Sequence, residues 1–131
     1  MRWLILVLAL TLGGCNTEWQ QERERSELSH SVAPASYKTD IIAFMHTYLN
    51  DPTGVRDAFV SPPAKRAFDG INRYASCLRY TAKKINGQYA SSKDSLVLYR
   101  DGRLDRMIDN AREQCKDAQY QPFPELERLT R

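Results

Sequence analysis

Residues 95–108, with the sequence SLVLYRDGRLDRMI, decide the fold of this chain. They begin with a short apolar run, and Asp101-Gly102 follows it. This dipeptide favours a type I′ turn, because both central residues of that turn need a positive φ. The sequence therefore predicts an antiparallel hairpin whose second strand runs from Arg103 to about Ile108. A short helix through Cys115 is predicted to follow, because the apolar residues fit a helical period at Leu104, Met107, Ile108, Ala111 and Cys115.

Two more strands are predicted before this hairpin. Residues 55–60 form a short apolar-rich run that ends at Ser61-Pro62-Pro63, which indicates an edge strand because proline cannot donate to a sheet ladder. Residues 71–81 alternate in the way that a strand does. The predicted faces of this strand carry Tyr74, Leu78 and Tyr80 on one side and Ala75, Cys77 and Arg79 on the other. Asn86-Gly87 marks a second candidate hairpin turn.

A helix precedes the predicted strands. Apolar residues recur at helical spacing over residues 37–49, and Ser36 is a suitable N-cap. Residues 50–54 end this helix, because Pro52 disfavours a helical conformation for the residue before it. Near the C-terminus, Pro122-Phe123-Pro124 opens a last helical turn that packs through Phe123, Leu126 and Leu129. The predicted fold is α+β, with the N-terminal helix packed on an antiparallel meander of about four strands and short helical pieces at the C-terminal end.

Length and charge limit the function of the chain. It has 131 residues, 42% apolar and 27% charged, which suits one modest domain. The formal net charge of +3 is smaller than nucleic-acid binding calls for, so no nucleic-acid partner is expected. The sequence holds no glycine-rich phosphate loop, nucleophile elbow or paired metal-binding histidines. We therefore expect no catalytic residues, no cofactor and no metal.

The N-terminus predicts export. Arg2 precedes an apolar run over residues 3–12, WLILVLALTL, which has half the length that a membrane-spanning helix needs. We interpret residues 1–14 as a signal peptide. Leu12-Gly13-Gly14-Cys15 resembles the lipobox of bacterial lipoproteins, with an aliphatic residue three positions before the cysteine and small residues directly before it. An ordinary signal peptide with an unrelated cysteine at its end is the alternative.

The resemblance to lipoproteins implies a location. Cleavage would fall between Gly14 and Cys15, and a diacylglyceryl group would join the Cys15 sulfur, which anchors the protein to the membrane. Asn16 follows the cysteine, whereas an aspartate there resembles an inner-membrane retention signal. The expected location is therefore the bacterial cell envelope, with the periplasmic face of the outer membrane favoured over the inner membrane.

The mature chain is predicted to have two parts. Residues 16–36 are mostly polar and carry two arginines against four glutamates, so residues 15–36 are predicted to be the lipidated cysteine and a flexible tether. A transient helix with charge pairs along it is the alternative. Residues 37–131 form the predicted single α+β domain and carry 16 basic against 12 acidic side chains.

The cysteines predict a disulfide bond. The chain has three cysteines, and assigning Cys15 to the lipid leaves Cys77 and Cys115 as an even pair in an oxidising compartment. A zinc site formed by His46, Cys77 and Cys115 is the alternative, although the cysteines lack the close spacing of structural zinc motifs.

Binding residues are predicted from charge and aromatic character. Arg79, Lys83 and Lys84 form a small basic group near a strand end, and Tyr89 and Tyr120 lie in turn-rich segments that suit an interface. A second set, Asp101, Asp105 and Asp109, has the i, i+4, i+8 spacing that could align carboxylates for calcium. Interleaved arginines favour a paired, solvated face instead: Arg100, Arg103, Arg106 and Arg112.

The expected function is non-enzymatic. The segments GVRDA, CLRY, DGRLD and PFPELE are similar to those of small lipoproteins of proteobacteria, a resemblance that implies no known activity. We expect a lipid-anchored envelope protein that binds a protein or cell-wall partner. A small periplasmic hydrolase or ligand-binding domain that uses His46 with a nearby carboxylate is one alternative, and an inhibitor of an exogenous enzyme is another.

Overall fold

The computed structural model describes residues 15–131, so the predicted signal peptide lies outside the described residues. Within them, helices pack on a six-stranded antiparallel sheet, which confirms the α+β class. The sheet has two strands more than the four or so predicted. The elements in chain order are α1 (Cys15–His30), α2 (Tyr37–Tyr48), β1 (Arg56–Val60), β2 (Ala64–Phe68), β3 (Ile71–Thr81), β4 (Lys93–Arg100), β5 (Arg103–Ile108), β6 (Gln121–Pro122) and α3 (Pro124–Glu127).

The long strand β3 is the centre of the sheet. β4 pairs with one edge of β3, while β2 and β1 pair with successive parts of the other edge. β5 extends the sheet beyond β4. The predicted edge position of β1 is nearly correct, because only the two-residue strand β6 pairs with its outer side.

The Asp101-Gly102 hairpin forms as predicted. Both residues have positive φ, 51° and 74°, and Arg100 pairs with Arg103 across the turn. The same turn joins β2 to β3 at Asp69-Gly70, a hairpin that was not predicted although the dipeptide carries the same signal. Asn86-Gly87 joins no pair of long strands and closes only an isolated bridge between Lys83 and Tyr89.

Alternation along β3 divides the core into two faces, as predicted. The helix face, which α2 covers, contains Leu78 and Tyr80 of β3. Ile41 and Met45 of α2 are fully buried there, and burial of such side chains contributes about 1.5 to 3 kcal/mol each. The opposite face, here called the disulfide face, is covered by the segment after β5 and contains Ala75, Cys77, Leu96, Leu98, Ala111 and Cys115.

A buried carboxylate fixes α2 on the sheet. Asp40 lies in the first turn of α2. Its Oδ2 accepts hydrogen bonds from Nε of Arg103 at 3.0 Å and from the backbone N–H of Leu104 at 3.3 Å. These bonds join the start of α2 to β5. Ser36 precedes α2 as predicted, but its side chain makes no capping bond.

Within residues 15–36, the segment predicted to be a tether, Cys15–His30 form the helix α1, so this part has the conformation of the helical alternative. The charge pair on this helix, Glu22 with Arg25, is strongly exposed and contributes little. Docking of its last turn supports the helix instead. His30 is buried, and the backbone N–H of Asp101 donates to the carbonyl of Ser29 at 2.6 Å.

The helix predicted through Cys115 is also wrong. β5 continues to Ile108, and residues 112–117 then form turns. The backbone N–H of Ala111 donates to the Asp94 carbonyl and holds this residue at the sheet. The apolar residues that suggested a helix therefore belong partly to β5 and partly to the loop that covers the disulfide face. The last helical turn is confirmed as α3, with Phe123 and Leu126 fully buried.

Candidate functional site

The five predicted binding residues occupy two separate places. Arg79 and Tyr120 lie at the disulfide face, beside Asp94. Lys83, Lys84 and Tyr89 belong to the loop that connects β3 to β4. The basic group predicted from sequence is therefore divided between the two.

Arg79 and Tyr120 bind each other and a shared carboxylate. The Arg79 Nε lies 2.8 Å from Oδ1 of Asp94, and the Tyr120 hydroxyl donates to the same oxygen at 2.9 Å. The guanidinium also lies over the Tyr120 ring, 4.2 Å from its centroid. These three side chains lie at the edge of the disulfide face and already contact one another. Arg79 and Tyr120 are therefore weak candidates for binding a partner.

The acidity of Asp94 reflects this cluster. Burial by itself would raise the pKa of Asp94, but hydrogen bonds from Arg79 and Tyr120 outweigh it and leave that pKa below its usual value. The pKa of Tyr120 is raised, by burial first and by its bond to Asp94 second. The cluster is therefore most stable with Asp94 ionised and Tyr120 neutral.

Tyr89 connects its loop to the turn before β1. Its hydroxyl donates to the carbonyl of Gly54 at 2.7 Å, and its ring is covered by the guanidinium of Arg56 at 3.9 Å from the centroid. The Lys83 ammonium lies 5.9 Å from the same centroid. Gly54 has a positive φ, and a Cβ there would lie 3.0 Å from the Tyr89 hydroxyl oxygen. Tyr89 therefore holds the loop in place, and Lys83 is positioned by it.

A cleft of about 590 Å³ lies between the C-terminal end of α2 and this loop. Its volume is within the range of small-molecule sites. We call it the lysine cleft, because Lys83, Lys84 and Lys93 line it. Lys93 was missed by sequence reasoning: it is remote from the other two in sequence, and the loop brings it back beside them.

The lysine cleft is positive and partly apolar. In the described part of the chain, no carboxylate lines it and none of its three lysines forms an ion pair. Lys83 contributes through its charge to a lowered pKa at Asp51, mainly caused by hydrogen bonds from Thr53. The side chain of Ile85 is 89% exposed at the rim. Such a surface can bind a ligand that carries both negative charge and apolar groups.

Tyr48 forms the helix wall of the lysine cleft. Its hydroxyl donates to Oδ2 of Asp109, while Oδ1 of Asp109 accepts a bond from the Ser95 hydroxyl at 3.0 Å. The bond to Asp109, together with burial, raises the pKa of Tyr48 to about 12. Tyr48 is therefore a neutral, oriented side chain at neutral pH.

The aspartates spaced at i, i+4 and i+8 have separate surroundings in the described part of the chain. Asp105 binds Arg73 at 3.0 Å, Asp109 binds Tyr48 and Ser95, and Asp101 lies in the hairpin turn. The helical spacing does not apply, because Asp101 lies in the hairpin turn and Asp105 lies in the strand β5. No group of three or more potential metal ligands occurs among residues 15–131.

Cys77 and Cys115 form the predicted disulfide. Their sulfur atoms are 2.10 Å apart, their Cα atoms are 5.8 Å apart, and both residues are buried. Because the sulfurs are bonded to each other, they cannot serve as thiolate ligands to zinc together with His46.

His46 lies outside the lysine cleft. Its Nε2 donates to the backbone carbonyl of Thr130 at 2.9 Å, in an exposed position. This contact holds the C-terminus against α2. The hydrolase alternative required a carboxylate partner for His46 in a concave site, and the contact with Thr130 lends that alternative no support.

Cys15, the predicted lipid attachment site, is the first residue of α1. None of the helices in the described part of the chain combines the length and the apolar composition that crossing a membrane requires. No protein-family model, curated protein or solved structure matches the chain.

Proposed function

We propose that this protein is a lipid-anchored protein of the bacterial cell envelope that binds a carboxylate-bearing partner in the lysine cleft and catalyses no reaction. The observation that carries the binding role is the convergence of Lys83, Lys84 and Lys93 beside exposed apolar groups. The lipobox-like segment before Cys15 supports the anchor. Asn16 favours the periplasmic face of the outer membrane.

An anionic partner follows from the charges in the cleft. Three lysines line one concavity that no carboxylate of the described residues lines, and a carboxylate bound there would be attracted by their positive charge. Tyr48 and Ile85 add apolar area that becomes buried when a partner covers the cleft, at about 25 cal/mol for each Å². Acidic segments of envelope proteins and the peptide carboxylates of the cell wall both have this chemistry.

The anchor is tested with the Cys15→Ser variant. Acyl chains contribute about 0.8 kcal/mol for each buried methylene, so a lipidated protein partitions into detergent. We expect wild type to show the mass of an acylated chain beginning at Cys15, and the variant to be uncleaved or soluble. A variant that still partitions into the detergent phase, without its signal peptide, contradicts the lipid anchor.

The binding role is tested by crosslinking in intact cells. A photoreactive residue at Ile85 is expected to capture a partner, whereas the same residue at Ala67, an exposed position in β2 away from the cleft, is not. Identification of the product separates a protein from a cell-wall fragment. Equal capture at both positions contradicts a role for the lysine cleft.

Charge reversal supplies the matched control. Lys84→Glu should lower crosslinking at Ile85, because it replaces one of the cleft's positive charges. Lys116→Glu makes the same change at an exposed lysine on the disulfide-face loop and should leave crosslinking unchanged. If both variants reduce capture equally, the effect comes from net charge and not from the cleft.

A further inference from the structure

The helix α1 is docked on the domain at its C-terminal end. Its 16 residues span about 24 Å at 1.5 Å per residue. The C-terminal end is docked on the domain through the buried side chain of His30 and through the backbone N–H of Asp101, which donates to the Ser29 carbonyl. The N-terminal end begins at Cys15. Any membrane attachment at Cys15 therefore acts on the domain through this helix.

Two large apolar side chains in α1 are exposed to water, one near each end. Trp19 is 73% exposed and lies about 6 Å along the helix from Cys15, while Leu28 is 70% exposed near the docked end. The other side chains of α1 after Asn16 are mostly charged or amide-bearing, so the helix has no continuous apolar face. A helix of this composition is unsuited to lying flat in a membrane surface.

Trp19 has a lysine as its neighbour across a groove. This groove, of about 910 Å³, separates α1 from the β2–β3 hairpin. Trp19 and Lys65 line it, together with Glu22, Arg23 and Glu27 of α1. Tryptophan is enriched at membrane interfaces, where its ring contacts the acyl region and its N–H remains hydrated. Lysine is attracted to lipid phosphates.

We infer that Trp19 is an interfacial anchor: its indole enters the headgroup region of the phospholipid bilayer that holds Cys15, with Lys65 next to the lipid phosphates. This inference rests on the proposed lipid anchor. The polar remainder of α1 then stands out of the bilayer as a spacer that connects the membrane to the domain. The lipid and the indole hold the protein at two points, which limits the orientations of the domain.

Intrinsic fluorescence tests this inference, because the chain has two tryptophans and the other one, Trp3, belongs to the predicted signal peptide. The purified mature protein, shown by mass to carry acyl chains, is placed in vesicles of phosphatidylethanolamine and phosphatidylglycerol. We expect Trp19 emission at shorter wavelength than in a soluble reference protein that lacks residues 1–14 and carries Cys15→Ser. We also expect quenching by lipids brominated near the headgroup and protection from acrylamide.

A relocated tryptophan is the matched control. The lipidated Trp19→Phe, Leu28→Trp protein carries an indole at a similarly exposed position, about 14 Å further along α1. This indole should keep the emission of a water-exposed tryptophan and escape the brominated lipids. Equal quenching at both positions means that α1 lies flat, and it overturns the spacer geometry.

Two failures are distinguishable. A mature protein whose mass lacks acyl chains overturns the proposed anchor and this inference together. A lipidated protein whose Trp19 has the emission and acrylamide access of the soluble form overturns only the interfacial role of Trp19.

Discussion

The hydroxyl of Tyr48 donates a hydrogen bond to the carboxylate of Asp109, 61 residues further along the chain. This bond joins the last residue of α2 to the segment that follows β5. It also orients the aromatic wall of the lysine cleft. The shape of the cleft therefore depends on the packing of α2 across the sheet.

Removing the charge of Asp109 should lower the pKa of Tyr48. In Asp109→Asn, the pKa of Tyr48 is expected to fall from about 12 towards the usual value of about 10, because the carboxylate bond is its main cause. In wild type this pKa is higher in the folded state, so the stabilisation is present below pH 10 or so and is lost as the pH rises towards 12. Tyrosine ring signals in an NMR titration measure the titration midpoint of Tyr48 in wild type and in the variant. Asp105→Asn is the control, and an unchanged Tyr48 midpoint in Asp109→Asn contradicts the assignment.

The ionisation of Asp94 should make the free energy of unfolding depend on pH in the acid range. Its folded-state pKa is lowered, so its contribution is complete above the ordinary aspartate pKa of about 3.9 and disappears as the pH falls through the lowered value. Asp94→Asn should lose about 1 to 2 kcal/mol at neutral pH, because it weakens the charged bonds to Arg79 and Tyr120. Urea unfolding at neutral and acid pH measures the difference, which should shrink in acid. The exposed Asp117→Asn variant should show neither effect, and a constant difference across pH argues against the Asp94 cluster.

The Cys77–Cys115 disulfide should raise the free energy of unfolding. Cys77 and Cys115 close a loop with a sequence separation of 38, for which chain entropy gives about 4 kcal/mol. Replacing both with alanine, in a Cys15→Ser background that removes the third cysteine, should lower the free energy of unfolding by about that amount. Chemical reduction of the Cys15→Ser parent should give a similar loss and controls for the altered side chains. An unfolding midpoint that reductant does not move is incompatible with this role.

Gly102 should be more sensitive to substitution than Gly70. Both follow an aspartate in a hairpin turn with φ of 74°, where a Cβ costs about 1 to 2 kcal/mol. At Gly102 the new Cβ would also lie 3.1 Å from Val32 Cγ1, whereas nothing lies within 4 Å at Gly70. Gly102→Ala should therefore destabilise the protein more than Gly70→Ala. It should also reduce hydrogen-exchange protection of the Asp101 amide, which bonds to Ser29. Equal effects of the two substitutions would show that the segment after α1 exerts no restraint at this turn.

Local patterns predicted much of the sheet. The Asp101-Gly102 turn was predictable because positive φ at two consecutive residues restricts which side chains fit. The two faces of β3 follow from its period of two, and the Cys77–Cys115 bond follows from counting cysteines. The missed strand β2 is short and largely exposed, and its sequence AKRAF does not alternate between apolar and polar residues, although Asp69-Gly70 after it could have revealed it.

The candidate site was less accessible to sequence reasoning. Lys83 and Lys84 were recognised by charge, but Lys93 and Tyr48 reach the cleft only through the folding of the loop and α2. Arg79 was chosen for the same charge, yet the strand directs it to Asp94 on the other face. Residue type predicted which groups could bind an anion, and it could not predict which groups already had a partner.

The sequence by itself determined the Asp101-Gly102 turn and which β3 residues share a face, because each depends on a residue's own conformational limits or on its near neighbours. The Cys77–Cys115 pairing was predicted by counting cysteines. Only the tertiary structure decided that α1 is a docked helix, that three lysines converge and that Arg79 is paired. These properties depend on contacts such as Asp101 with Ser29 and Arg79 with Asp94. Their partners are distant in sequence, and packing of the whole sheet brings them together.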